Sequence, residues 1–395
     1  MKKIMVLSGG QYSKPVFRKL ADAGFTTVCV DRDPRAPCGA LADAFYPVDI
    51  TNREGVCAVA RNTHVDGIMA INDFGTRTAS YVAEELGLVG LPMATVDAAN
   101  DKGRMREVWF RQGLAQPKYR VFETLEELTE ATEQIGFPCV VKPTESGGGG
   151  RGVSVLRSPD DIAWAYQFAR PYVRNDRFIV EEFMDGTEMT IESFSSDGEV
   201  TILAMSDKVK PDLRTRVATS LNYPATFPEE ILTQVRHLVT AAVQAIGVRT
   251  GMAHTEVIVT NNGPKLVELG ARGGGGHIFH TIIEAVSGFN APAQTARILT
   301  GMPITIPELT GNGAVYRFFT PPRGILREVH NLEAVACLEG VLDIGLTKNI
   351  GDLVGDFENS LQRTGFVVTK GQTREAAIAV ADRAESTIKL IVEPC

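Results

Sequence analysis

The stretch V-V-K-P-T-E-S-G-G-G-G-R-G, residues 140–152, ends an apolar run on a lysine and follows it within a few residues by four consecutive glycines. Without Cβ atoms, glycines let backbone N–H groups approach anionic oxygens closely, while Lys142 supplies a point charge and Arg151 a second cation at the loop's far side. The segment reads as a phosphate grip. A flexible linker is the competing reading of four glycines. The flanking V-V-K and V-S-V-L favour the grip, because they read as two strands of a hairpin that the loop closes. In a Walker loop a helix follows instead, and no G-x-x-x-x-G-K-[ST] occurs in the chain.

The second informative stretch is H-T-E-V-I-V-T-N-N-G-P-K-L-V-E-L-G-A-R, residues 254–272, two apolar runs joined by Asn-Asn-Gly. It reads as a β-hairpin. With Asn261 to Gly263 as the loop, Glu256 faces Glu268 on one side of the sheet. Two facing carboxylates repel, so the pair calls for a cation, and hard oxygen donors without Cys or clustered His favour Mg²⁺ carried in with phosphate. The alternative is that the register slips by one and one glutamate is a solvated edge residue.

At 395 residues the chain is too long for one core and should make two or three domains. A net charge of −8 offers no basic footprint for nucleic acid. No apolar run reaches membrane-spanning length, and M-K-K-I-M-V-L-S-G-G reads as a first strand instead of a signal peptide, so a cytoplasmic location is expected. The six cysteines are scattered without a C-x-x-C pair, which argues against zinc and against a disulfide framework.

Residues 1 to about 95 alternate strand and helix signals: K-I-M-V-L, a Ser8-Gly9-Gly10 turn, a helical stretch, F-T-T-V-C-V-D and G-I-M-A-I-N. This is a small doubly wound unit, although G-G-Q-Y-S departs from the G-x-G-x-x-G of dinucleotide-binding turns. A polar helix begins at Asp101-Lys102, and Ser158-Pro159-Asp160-Asp161 is a good helix start. F-I-V-E-E-F-M-D-G-T-E-M-T-I-E-S-F reads as strand, Asp-Gly turn, strand. Its Glu181, Glu182 and Glu188 sit in an apolar context, where ribose and adenine groups would use them as acceptors.

These features, in this order, resemble the ATP-grasp superfamily: Lys102 after Asp, Lys142 before a glycine loop, E-E-F-M with a glutamate six residues after Glu182, then Glu256, Glu268 and Arg272. The resemblance covers nearly the whole chain, and it is strongest to carboxylate-amine ligases, especially L-amino acid ligases, with carbamoyl phosphate synthetase and biotin carboxylase subunits also similar. It implies an α/β (α+β) ATP-grasp fold with an N-terminal Rossmann-like pre-ATP-grasp domain at 1–95. An ATP-grasp domain at 96–305 would follow, with a lid subdomain at about 110–185, and a C-terminal lobe at 306–395 would complete it. Lys102 and Lys142 are implied to contact ATP phosphates, with Ser146, Gly147, Gly148, Gly149, Gly150 and Gly152 in the mobile loop above them. Glu181, Glu182 and Met184 would form the adenine hinge, Glu188 the ribose ligand, and Glu256 and Glu268 the Mg²⁺ (or Mn²⁺) ligands. Arg272 would stabilise the transferred phosphate. One departure is Gly270, where the family usually has Asn, which puts the second metal site in doubt.

The implied activity is ATP-dependent ligation of a small carboxylate, an amino acid in the leading reading, to an amine or thiol through an acyl phosphate, releasing ADP and phosphate. A carbamoyl phosphate synthetase-like enzyme phosphorylating bicarbonate or carbamate, and a non-catalytic nucleotide-binding module, are the alternatives. The chain shows no internal repeat, which weighs against the first of these. Substrate contacts are expected from the cationic, irregular segment 207–224, through Lys208, Lys210, Arg214 or Arg216, with a solvated basic loop as the other reading. His254 shares the face of Glu256 and either orients a phosphate or is a neutral core histidine. His277 and His280 read as helix-face packing or substrate contact, and Arg317 points either into the cleft or into a salt bridge. The partners are small molecules, with neither nucleic acid nor membrane, and a homodimer is expected by analogy.

Overall fold

The computed structural model describes residues 1–210, 217–355 and 359–395. The N-terminal unit is a four-stranded parallel sheet in the order Ala44–Tyr46, Thr26–Val30, Lys3–Leu7, Gly67–Ala70. Its two central strands carry the apolar runs Ile4–Leu7 and Val28–Val30 because helices cover both faces, and Ile4, Met5, Val6 and Leu7 are fully buried. The Ser8-Gly9-Gly10 turn is used internally: Gly9 N–H donates to Asp31 at 2.7 Å. A Cβ at Gly9 would lie 2.8 Å from Cys29 Sγ. The acidic side chain that a dinucleotide ribose would need is thus already engaged.

A four-stranded antiparallel sheet follows, in the order Tyr119–Phe122, Phe178–Glu182, Cys139–Pro143, Ser154–Leu156. Helices Leu125–Ile135 and Ile162–Ala169 back it, the first opened by a capping box between Thr124 and Glu127. Phe122, Leu128, Cys139, Val141, Leu156 and Phe178 form its separate core.

The largest sheet has eight antiparallel strands in the order Gly263–Gly270, Gly251–Thr260, Thr187–Ser196, Glu199–Val209, Ser220–Tyr223, Gly313–Phe318, Gly365–Gly371, Val341–Leu346. Strands from the last ninety residues therefore extend the central sheet, with Ser220–Tyr223 pairing Gly313–Phe318. A small sheet of Leu353–Val354, Gly324–His330 and Lys389–Glu393 lies beyond them. No helix among the described residues is long and apolar enough to cross a membrane.

Two local readings need correction, while the strand–turn–strand order around Asp185-Gly186 is as expected. Phe178–Glu182 lies in the four-stranded sheet and Thr187–Ser196 in the eight-stranded one. Gly186 carries the chain across at φ 157°, where a Cβ would meet Val259 O at 2.1 Å. The segment 207–224 is more regular than its polarity suggests, because Asp207, Lys208 and Val209 pair with Asn222, Leu221 and Ser220. Arg214 and Arg216 lie outside the described residues.

The 254–270 hairpin has the expected facing pair, reached by a different route. Thr260 pairs with Gly263, so the loop is two residues, and Val267 is bulged out between Leu266 and Glu268. The shorter loop shifts the register by one and the bulge restores it, leaving Glu256 opposite Glu268.

Candidate active site

The candidate site lies where the N-terminal unit, the four-stranded sheet and the hairpin edge of the large sheet meet, in a cleft lined by Asp73, Lys102, Ser146, Gly147, His254, Glu268 and Arg272 among others. Lys102 is the first residue of helix Lys102–Arg111, whose N-cap Asp101 accepts from Gly103 N–H at 2.7 Å. Lys102 N–H donates to Thr144 O at 3.1 Å, tying the helix start to the glycine loop. Its ammonium lies 3.2 Å from Glu268. The Lys102 charge holds the Glu268 carboxyl down at about 2 against the effect of burial.

Glu256, opposite, is capped by Lys208, which also lies 2.7 Å from Glu188, while Lys210 binds the other Glu188 oxygen. Burial works against the charged form of Glu188, but Lys208 and Lys210 outweigh it and hold its carboxyl far below the usual range. Lys208 is therefore a buried, paired residue and not part of a solvated basic loop. His254 donates from Nδ1 to the buried Glu192 at 2.5 Å, and its Nε2 lies 3.7 Å from Glu256. Burial disfavours the imidazolium, yet Glu192 and Glu256 overcome this and push its pKa up to about 9. It is a charged histidine at neutral pH, which the neutral-core reading did not anticipate.

Lys142 is the penultimate residue of strand Cys139–Pro143 and lies 2.7 Å from Glu181. Burial holds its ammonium below the usual lysine range. Glu181 itself is fully engaged, accepting from Arg106 at 2.9 Å as well as from Lys142. Neighbouring strand residues face opposite ways, so Glu182 points elsewhere, to Lys265 at 3.1 Å and Lys118 N–H at 3.2 Å. Met184 is buried at the crossover.

In the loop, Gly147, Gly148, Gly149, Gly150 and Gly152 all adopt left-handed conformations, with φ from 69° to 79°. A Cβ on Gly147 would lie 2.4 Å from Phe74 Cζ. Arg151 folds back on the loop, donating to Gly147 O at 2.5 Å and Gly148 O at 3.0 Å, and does not reach across as a free second cation. Arg77 fixes Glu145 by two bonds at 2.7 and 2.9 Å.

Arg272 is held by Asp73 through two bonds at 2.8 Å. Gly270 makes room for this pair, since a Cβ there would lie 3.2 Å from Arg272 Cζ and 3.4 Å from Asp73 Oδ1. An asparagine at this position would push on the guanidinium. Glu256 and Glu268 face each other as a pair that could hold a metal, and no cluster of three or more metal-binding side chains occurs among the described residues. Two carboxylates suit Mg²⁺, which keeps waters and takes its remaining ligands from phosphates.

Three residues expected near substrate stand apart from the pair. Arg317 binds Asp382 and, at 3.2 Å, Glu385, on helix Arg374–Thr387, and does not point into the cleft. His277 and His280 pack against each other and His277 against Tyr12, Tyr316 and Phe366; burial pushes their pKa values down to about 4 and about 3. Both are neutral aromatic neighbours. Asp73, Arg106 and Glu192 join the site beyond the sequence expectations, and each carries a signal in the sequence. Asp73 follows the apolar run G-I-M-A-I at a strand's carboxyl end, Arg106 lies one helical turn from Lys102, and Glu192 shares strand parity with Glu188.

Comparison with known proteins agrees with this architecture. Residues 135–280 match a family model of the ATP-grasp domain, and residues 317–393 match L-amino acid ligase C-terminal domain 2. A formate-dependent phosphoribosylglycinamide formyltransferase of Rhodococcus jostii is 31% identical over 207 residues, 50% of this chain and 51% of that protein. The chain thus spans about half the length of that relative. A protein of the same name from Ignicoccus hospitalis is 25% identical over 99% of this chain and 96% of its own. Among solved structures, an L-amino acid ligase from Bacillus licheniformis superposes with a TM-score of 0.86 at 22% identity, covering 100% of this chain and 99% of its own. N5-carboxyaminoimidazole ribonucleotide synthetase from Thermotoga maritima gives 0.76 at 20% identity, with both chains covered completely. The facing-glutamate hairpin lies inside the matched segment, and residues 135–280 form an ATP-grasp domain.

Proposed function

We propose that the protein is an ATP-dependent carboxylate-amine ligase whose carboxylate substrate is an amino acid. The observation that supports it most is the cleft's charge arrangement: two facing carboxylates, each capped by a lysine, beside an arginine already oriented by Asp73. The match of residues 317–393 to an L-amino acid ligase domain supports the amino acid. In this reading residues 1–95, 96–305 and 306–395 act as pre-ATP-grasp, ATP-grasp and completing C-terminal units, with the lid within about 110–185.

A carboxylate is a poor electrophile and must be activated. Its oxygen attacks the γ-phosphorus of ATP, the bond to the bridging oxygen breaks, and ADP departs with that electron pair. Lys102 and Lys142 orient the phosphates and balance their charge. Arg272 offers a planar fork to the phosphoryl oxygens and, in the acyl phosphate, to the same group. The amine nitrogen then attacks the acyl carbon, the carbon–oxygen bond to phosphate breaks, and the amine proton leaves with phosphate or solvent. Ser146 to Gly152 cover the site and keep water from the intermediate. Glu256 and Glu268 would hold Mg²⁺, or Mn²⁺, which when bound neutralises phosphate charge. Glu188 would accept from the ribose, with Met184 beside the adenine. Glu181, tied to Lys142, serves the phosphate lysine in place of the base.

The relatives named for formate-dependent formyl transfer favour a second reading with the same chemistry, in which formate is the carboxylate. The test is ADP and phosphate release from Mg·ATP with no addition, bicarbonate, formate plus a primary amine, or pools of amino acids. Release that requires amino acids supports the proposal. Release with formate plus the amine, and not with amino acids, moves the assignment to the second reading, and release with bicarbonate moves it to a carbamoyl phosphate synthetase-like enzyme.

A further inference from the structure

The strand Gly263–Gly270 is the edge of the large sheet, so its outward N–H and C=O groups need partners. Helix Lys102–Arg111 and the loop after it supply them. Leu266 N–H donates to Ala115 O at 2.9 Å, Leu269 N–H faces Met105 Sδ at 3.3 Å, and Val267 O accepts from Arg106 at 2.6 Å. Val267 is the bulged residue, and without the bulge a two-residue turn would place Glu268 on the face opposite Glu256. Arg106 is completely buried, its guanidinium 5.4 Å from the Trp109 ring centre. Its Nε donates to Glu181 at 2.9 Å, on the other side, and the second Glu181 oxygen holds Lys142 at 2.7 Å.

We propose that Arg106 is a positioning residue that locks the two halves of the nucleotide site together, setting Lys142 through Glu181 and the Glu256–Glu268 pair through the Val267 carbonyl. A guanidinium suits this task because its donors diverge in a fixed plane, so one group reaches a carboxylate and a carbonyl on separate sheets. A lysine ammonium at the same depth has one nitrogen to offer. Arg106 is also among the charges that hold the Lys142 ammonium below its usual range. This assignment rests on the proposed ATP- and metal-dependent reading of the cleft.

The test compares wild type with Arg106→Lys and Arg106→Met by two readouts that need no acceptor substrate: affinity for a non-hydrolysable ATP analogue in EDTA, and Mn²⁺ affinity by electron paramagnetic resonance with the analogue present. In Arg106→Met both should weaken by roughly tenfold or more, the loss expected when a charge-assisted hydrogen bond is removed. In Arg106→Lys, which can keep Glu181 but not also Val267, the Mn²⁺ affinity should fall about tenfold and the metal-free nucleotide affinity by less. A role confined to fold stability would lower the melting temperature and leave both constants unchanged, and that result overturns the assignment. Should Arg106→Met not fold, Arg106→Lys decides alone. Wild type that binds no Mn²⁺–nucleotide would overturn the reading of the cleft and Arg106's role with it, whereas normal wild-type binding with unaltered variants overturns Arg106's role only.

Discussion

Stability of the metal-free, nucleotide-free protein should fall as pH rises from neutrality, and His254 is the reason. Its imidazolium is buried between Glu192 and Glu256, with a pKa pushed up to about 9 from 6.5. Because the folded state binds the proton more tightly than the unfolded chain, the stabilisation is fully present below pH 6.5 and is lost as pH climbs through about 9. A shift of that size corresponds to about 3 kcal/mol, at 1.36 kcal/mol per pKa unit. Other groups titrate over the same range, so the informative quantity is the difference between wild type and His254→Gln, whose amide still donates to Glu192 but carries no charge. Urea unfolding in EDTA at intervals from pH 6 to pH 9.5 should show wild type losing about 3 kcal/mol relative to the variant. A parallel pH dependence in the two proteins, or an NMR midpoint for His254 at or below 6.5, would refute the charged assignment.

Other substitutions probe the remaining parts. Glu268→Ala should lower ligase turnover by about a hundredfold or more while the far-ultraviolet circular dichroism spectrum stays that of wild type; turnover close to normal would remove this residue from the metal assignment. Gly147→Ala places a side chain at φ 72° and within 2.4 Å of Phe74 Cζ. The left-handed conformation alone costs about 1–2 kcal/mol, so the KM for ATP should rise, and Phe74→Ala in the same chain should restore part of the loss. Arg317→Ala should leave kcat/KM within about twofold, because its partners are solvent-exposed carboxylates and such pairs contribute at most about 1 kcal/mol. A large kinetic defect there would return Arg317 to the cleft.

The clustering of Lys102, Lys142, Glu256 and Glu268 was legible because its signals are local in sequence: a lysine before a glycine run, a lysine after a helix cap, and two glutamates across one turn. The hairpin shows how narrow that legibility is. A three-residue loop without a bulge and a two-residue loop with one give the same pairing of Glu256 and Glu268, and residue types alone do not separate them. Glu181 and Glu182 do not share one adenine hinge, because strand alternation sends adjacent side chains to opposite faces; one meets Arg106 and Lys142, the other Lys265. Lys208 stands out in the sequence only as one of four cations in an irregular segment, and its place between Glu188 and Glu256 follows from those residues being carried to it on other strands. Arg317 alternates with aromatic residues, and alternation fixes that it faces away from Tyr316 without telling which face borders the cleft. Asp73 and Arg272 are brought together from units far apart in the chain.

The most direct test of the acyl-phosphate account is isotope transfer. The amino acid that supports ADP release is supplied with ¹⁸O in its carboxylate, and the phosphate formed is analysed by mass spectrometry. Attack of the carboxylate on the γ-phosphorus followed by amine displacement predicts a single labelled oxygen in each phosphate formed from fully labelled substrate. Unlabelled phosphate released together with ligated product would contradict the mechanism, since the carboxylate oxygen would never have been bonded to phosphorus.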